Sequence, residues 1–584
     1  MSYSTNTKQQ GHIAGQQSMA EWQTLLKQNV FDSNKDFQHS IEFYFDADAE
    51  TLKNDLSDLG ERIATELEPA VAENDFRLNL PRFEPFNAIG ERTDSIVHNP
   101  LYTKAGDIIY GTGMMAKILK PGRLLESLMF FYLTSHAGEA GHNCPVACTA
   151  GIIRVLSKLM EESKDKNGLF QRYLDKLSFP GYEHNYTGAQ FVTEIQGGSD
   201  VGLNDTRAKP AGDGSWLITG EKWFCSNAHA DLILMTARYD VTKNGTRGLG
   251  LFLVPSVKPD GSKNNYYIRR LKEKLGTRTM ASGEIDFNDA WGILIGQEED
   301  SFKWLMENVL HLSRLYNSFA ILGAAQRAWQ IAVSYAKTRQ AFGNAIINYP
   351  LVQQNLANIK SDITVLLAGA MATTKLQDEF DRAVATDDES SLLLRLLANL
   401  NKYVTAKTSP ENIHHCIDVL GGNGAIESFS ALPRLLRDSI VFENWEGTHN
   451  TLKMQILRDI HKFRIDKLFL QHIDMIFARV ELSRRHDPMI TAIRDGRFRL
   501  EQALERLKTS PQAVQTLLIT ETVDLMSYVY GALQLYVEAR HQIEQTEKSS
   551  KLECLQWFIL NRLNKEPAEI NEDYLVLAAN IVNL

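Results

Sequence analysis

The sequence predicts an α+β multidomain protein. It has an N-terminal α-helical domain, a central antiparallel β domain, a C-terminal four-helix bundle and an extra C-terminal helical subdomain. Three observations predict it. Apolar residues recur at helical spacing on both sides of a stretch of about 110 residues, where the rhythm changes to short β-branched and aromatic runs. Four long amphipathic segments joined by short links follow that stretch. At 584 residues the chain is too long for a single core.

Residues 1–48 are polar and read as an N-terminal arm with at most one helix. Residues 49–187 read as the helical domain. "AETLKNDLSDLGERIATELEPAVAEN" is amphipathic, and "GRLLESLMFFYLTSHAG" is apolar nearly all round, which marks a buried helix. Residues 188–297 hold runs such as "SWLITGEKWFCS", "DLILMTARYD" and "SGEIDFNDAWGILIG", separated by the turn clusters "GDGS", "KNGTRG" and "PDGSKNN". Residues 298–464 carry the four long helices, the fourth written through "LPRLLRDSIVFENWEGTHNTLKMQILRDIHKF". Residues 465–584 contain Leu-rich helices of their own and read as a separate subdomain.

Composition narrows the function. Lys and Arg number 62 against 72 Asp and Glu, a net charge of −10, so there is no general pull toward nucleic acid or anionic membrane. Residues 465–584 hold 14 basic and 17 acidic residues, and the densest basic cluster (Arg484, Arg485, Arg494, Arg497, Arg499) is interleaved with Asp487 and Asp495. Five scattered cysteines predict free thiols in a reducing compartment rather than a disulfide framework. Cys144, Cys148 and His142 lie close together, but no second ligand pair at zinc spacing follows, so no metal is expected. No apolar run approaches membrane-spanning length, and the N-terminal stretch lacks an apolar signal core, so a cytoplasmic location is expected.

Five short stretches carry candidate chemistry. "FVTEIQGGSD" (191–200) places Thr193, Ser199 and a double glycine at a strand end, where a ligand can approach the backbone; an ordinary turn would look similar. "EKWFCSN" (221–227) puts Phe224 and Ser226 on one face of a strand, suited to an aromatic ring or to core packing. "RQAFG" (339–343) closes a long helix, with Gly343 expected at a helix C-cap. "VLGGNGA" (419–425) is a glycine cluster whose amides can receive a pyrophosphate. "NWEGTHNTL" (444–452) sets Glu446 between Trp445 and the pair Gly447 and Thr448. A carbon-acid base needs such an apolar wall and adjacent space, although a helix-start glutamate would also fit there.

The order of these five stretches, in these kinds of element, resembles the acyl-CoA dehydrogenase family over residues 80–465. "TEIQGGSD", the Phe224–Cys225–Ser226 turn, "LKEKLGTRTMASGEIDF" (271–287), Trp445 and the helices after 465 resemble its AidB-like branch. The resemblance implies noncovalent FAD and an acyl-CoA substrate. It places Glu446 as the base that removes the α-proton while the β-hydrogen leaves to the flavin. In relatives that carry the base before an arginine of the first bundle helix, the matching residues here are Ser313 and Arg314, and serine cannot serve as that base.

It implies further that Thr193, Ser199, Phe224, Ser226, Thr448 and Asn450 contact the flavin or the ligand beside it. Ser199, Arg314 and Gly447 face the substrate, and Arg339, Phe342, Gln353, Gly421 and Gly422 reach the FAD of a neighbouring subunit. A homotetramer, or a dimer, and an electron-transfer flavoprotein as acceptor go with that reading. Asp418 and Ala425 depart from the family pattern near the glycine cluster and leave acyl specificity open. The alternatives are an AidB-like flavoprotein with weak dehydrogenase activity that binds DNA in the alkylation-damage response, an acyl-CoA oxidase, or a monooxygenase-like use of the same frame.

Overall fold

The computed structural model describes residues 6–162, 168–383, 387–481, 487–546 and 549–583. The segment expected as an arm forms helices α1 (Asn6–Leu26) and α2 (Lys35–Phe45), and Trp22, Phe31, Phe37 and Ile41 are buried. Trp22 stacks on Phe429 and donates its indole N–H to the Ile331 carbonyl (3.3 Å). The polar average of this stretch hides a few large apolar anchors, which suffice to dock it on the bundle. The helical domain continues through α3 (Leu124–Thr134), buried along its whole length as its composition predicts, and α4 (Ala140–Glu161).

The β domain comprises β1 (Gly188–Phe191), β2 (Arg207–Pro210), β3 (Trp216–Ser226), β4 (Leu232–Arg238), β5 (Leu249–Pro255), β6 (Tyr266–Leu271) and β7 (Ser282–Leu294). The order is β1-β4-β2-β3-β7-β5, with β6 on β7, and β4 also pairs with β5 so that the circuit closes on itself. Pairing is antiparallel except where β1 and β2 meet β4 in parallel. β4 and β5 are buried on both faces, so they read as apolar runs without alternation.

The bundle helices are α5 (His311–Thr338), α6 (Pro350–Arg382), α7 (Asp388–Leu420), α8 (Leu432–Phe442) and α9 (His449–Phe463). The fourth bundle helix is thus broken in two, and the break holds Glu446. The last helices are α10 (Ile465–Glu481), α11 (Pro488–Thr509), α12 (Gln512–Thr546), α13 (Ser550–Phe558) and α14 (Glu572–Asn583). α12 packs on α6 where Gly369 meets Gly531; a Cβ on Gly369 would lie 3.5 Å from the Gly531 Cα. A buried polar network fastens α2, α6, α12 and α13 together. Lys360 pairs with Asp36 (3.0 Å), Lys551 pairs with Glu538, and Ser40 and Tyr44 donate to Glu538 (2.9 and 3.1 Å). Among the described residues no helix is long and apolar enough to cross a membrane.

Candidate active site

The turn between α8 and α9 has a constrained backbone. Glu446 takes φ +56° and Gly447 φ +109°, both in the left-handed region. For a glutamate this costs about 1–3 kcal/mol and persists only where surrounding contacts impose it. Those contacts are two buried cations. Arg314 of α5, 4% exposed, donates Nε–H to the Glu446 carbonyl (3.1 Å) and Nη1–H to Asn399 Oδ1 (2.6 Å). Lys402 of α7, 0% exposed, donates from Nζ to the carbonyls of Glu443 (2.8 Å) and Gly447 (2.7 Å). Hydrogen bonds from a charged donor contribute about 1.5–3 kcal/mol each, enough to outweigh the strain.

The carboxyl of Glu446 is half-buried. Burial lifts it from 4.5 to about 7, against the pull of Arg314 and Lys402 in the other direction. Burial also draws Lys402 down to about 7, with Glu446 opposing. Cys148 of α4 lies within electrostatic reach of this carboxyl. Trp445 packs on the buried Phe442, its ring centroid 4.8 Å away. Thr448 caps α9 by accepting from the Thr451 amide (3.4 Å). The hydroxyls of Thr451 and Ser199 share a hydrogen bond (3.2 Å), which joins the double-glycine loop of the β domain to this turn.

That loop is itself anchored by a pair the sequence did not reveal. Glu194 accepts from Lys222 Nζ (2.7 Å) and from the amides of Asp205 (2.7 Å) and Thr206 (3.2 Å), all inside the sheet. The Thr193 carbonyl accepts from the Trp223 amide (2.9 Å), so Thr193 and the 223–226 stretch are neighbours. Cys225 is buried, and Phe224, 52% exposed, lies with Ser226 on the opposite face of β3. Lys272 lies over both rings, its Nζ 3.3 Å from the Trp223 centroid and 5.0 Å from the Phe224 centroid.

The predicted residues fall into two groups. Glu446, Gly447, Thr448, Arg314 and Ser199 come together directly, and Thr193, Phe224 and Ser226 lie on the adjoining loop and strand; Asn450 is exposed in the first turn of α9. Arg339, Phe342, Gln353, Gly421 and Gly422 lie elsewhere. From Arg314 to the end of α5 is about 36 Å along the helix at 1.5 Å per residue. Asn423 donates to the Tyr335 hydroxyl (3.1 Å), which fixes the glycine turn at that far end.

Gly343 is not a helix cap. α5 ends at Thr338, and Gln340–Ala341 pairs with Asn344–Ala345 around Phe342 (φ +52°) and Gly343 (φ +86°). A two-residue hairpin of type I′ needs both central residues left-handed, which is why glycine stands there. Phe342 is 99% exposed at the tip. Gly421 and Gly422 are also open, since a Cβ on either would meet nothing within 4 Å.

The residues fit a flavin dinucleotide. The near group offers an exposed aromatic face, hydroxyl donors and a half-buried carboxyl for the flavin ring, and the far group, about 36 Å along α5, offers an open glycine turn and an arginine for phosphates. The basic cluster after residue 465 is partly paired where it is described. Arg497 pairs with Asp474 (2.9 Å) and Glu501 (2.5 Å), and Arg499 donates to the Leu563 carbonyl; Arg484 and Arg485 lie outside the described residues.

A helical domain, a closed sheet and a four-helix bundle meeting at a half-buried carboxyl define the acyl-CoA dehydrogenase architecture. Sequence comparison agrees. Residues 189–290 match the acyl-CoA dehydrogenase middle domain, residues 301–461 its C-terminal domain, and residues 8–184 the N-terminal domain of the adaptive response protein AidB. The chain is 30% identical over 393 residues to AidB of Escherichia coli, covering 66% of this chain and 70% of AidB. It is 30% identical over 415 residues to acyl-CoA dehydrogenase family member 11 of Caenorhabditis elegans, covering 69% of this chain and 66% of that protein. The crystal structure of C. elegans ACDH-11 in complex with C11-CoA shares the fold, with a TM-score of 0.80, 24% identity and coverage of 94% and 93% of the two chains. The chain belongs to the acyl-CoA dehydrogenase family, and that family is FAD-dependent.

Proposed function

We propose that the chain is an FAD-dependent acyl-CoA dehydrogenase in which Glu446 removes the α-proton of a thioester, giving the trans-2-enoyl-CoA. The observation that carries this reading is the strained, doubly anchored turn holding a half-buried carboxyl at about 7. A carboxyl at about 7 rather than 4.5 binds its proton about 3 kcal/mol more tightly, which suits a general base working near neutral pH. Arg314 and Lys402 fix the turn by its carbonyls, so the carboxylate is held before substrate arrives. Ser199, Arg314 and Gly447 form the substrate side.

Bound FAD supplies the two-electron acceptor for the β-hydrogen. Thr193, Phe224, Ser226, Thr448 and Asn450 hold it on this side. Arg339, Phe342, Gln353, Gly421 and Gly422 serve the site of a second copy, because about 36 Å of helix separates that end from Arg314. A phenylalanine 99% exposed on a left-handed hairpin tip is consistent with the same arrangement, since its ring is free to reach a neighbouring copy. The assembly is then a homotetramer, or a dimer, and the external acceptor is an electron-transfer flavoprotein. The test is a visible spectrum of the purified protein followed by anaerobic addition of an acyl-CoA panel. Bleaching of the flavin band by one of them is expected. A protein with no flavin band, or one that no acyl-CoA bleaches, would refute the reading.

A further inference from the structure

The stretch "KEKLGTRTMASGE" reaches the site described above through Lys272, and its second lysine, Lys274, is linked to that site through Ser282. Lys274 donates from Nζ to the Met280 carbonyl (2.9 Å) and to Ser282 Oγ (3.0 Å). Ser282 is buried, and its Oγ lies 3.3 Å from Ser226 Oγ. An ammonium has donors only. Ser282 therefore accepts from Lys274; its second lone pair would let either serine donate in the Ser226–Ser282 pair, and the ammonium charge favours the order in which the Ser282 proton points away from it, toward Ser226. Ser226 accepts that proton and is left with its own, which points away from the pair. Without the lysine the two serines could order either way, and in one order Ser226 would present only a lone pair to the cleft.

We propose that Lys274 is a positioning residue that sets the direction of the chain Lys274–Ser282–Ser226, so that Ser226 is a hydrogen-bond donor into the cleft. This rests on the flavin reading above. A donor aimed at the edge of a bound ring favours the state in which that edge carries more negative charge, so it favours the two-electron-reduced ring over the oxidised one. The groups facing Lys274 from other elements are Cys144 of α4 and Asp438 of α8. Burial pulls the ammonium down to about 8, and those two groups oppose it. The lysine is thus charged at neutral pH and begins to lose its proton just above it.

The experiment measures the two-electron midpoint potential of FAD bound to the full-length protein, by equilibration with reference dyes. Ser282→Ala and Lys274→Met are each expected to shift the reduced-to-oxidised equilibrium at least tenfold toward oxidised, about 30 mV for a two-electron couple. The double variant should fall no further than either single one, because both cut one chain. The wild-type potential should bend with pH near 8, and the bend should be missing in Ser282→Ala. A merely structural lysine would alter stability or FAD content and leave the potential in place. Ser282→Ala adds no volume and decides the matter if Lys274→Met loses its FAD. A Ser282→Ala protein that holds FAD at the wild-type potential overturns the proposal, as does an additive double variant. A wild-type protein that takes up no FAD overturns the flavin reading itself and the proposal with it.

Discussion

Replacing Lys402 by methionine tests how the base is held. Methionine fills nearly the same space and donates nothing. The carbonyls of Glu443 and Gly447 lose partners at 2.8 and 2.7 Å. Each buried carbonyl left alone costs about 1–3 kcal/mol. Against this stands the removal of an ammonium whose burial has drawn it down to about 7. The two effects oppose each other, so the global change should stay within a few kcal/mol. The local effect does not cancel, because Glu446 at φ +56° and Gly447 at φ +109° are then held only through Arg314. A displacement of about 1 Å in a reacting group costs about 100-fold in rate. Losing the cation also raises the Glu446 carboxyl further, so the rise of rate with pH moves above about 7. Stopped-flow bleaching at saturating acyl-CoA should show FAD retained, a rate about 100-fold lower and that displaced rise. A Lys402→Met protein within twofold of wild type, with the same pH profile, would refute the reasoning.

Three further outcomes are expected. Glu446→Gln should keep FAD and lose bleaching by acyl-CoA, read in the same anaerobic assay. Burial lifts Glu446 above its unfolded value, so its contribution to stability is full below about pH 4.5 and is lost as pH rises through about 7; thermal unfolding of wild type should therefore weaken relative to Glu446→Gln between pH 5 and 8. Arg339→Ala should lower the FAD content and shift the oligomer toward smaller species in light scattering, while a Glu446 turn unaffected by the change continues to bind acyl-CoA; retention of full FAD would count against a shared site.

The large plan was legible because periodicity changes twice along the chain and reports which faces are buried. That Glu446 is not an ordinary surface glutamate was legible, because its neighbours are the wrong ones for one. The break in the fourth bundle helix was less so, since "FENWEGTHN" lacks proline and only Gly447 hints at it. Lys402 was not legible. A lysine inside "NLNKYVTAK" reads as solvated, and its partners lie 41 and 45 residues downstream. Glu194 and Lys222, 28 residues apart, meet only once the sheet closes. Gly343 was assigned to a helix cap because helix-ending and hairpin glycines share one backbone requirement, and the motif does not say which follows. The N-terminal arm misled for a different reason: few apolar residues suffice when each is a Trp or Phe.

The central claim is that Glu446 takes a proton from carbon. Its most direct test is exchange of deuterium from the α-carbon of a labelled acyl-CoA into water, followed by mass spectrometry under anaerobic conditions. Wild type should wash the label out, and Glu446→Gln with FAD bound should leave it in place. Equal loss of label from both proteins would contradict the assignment of Glu446.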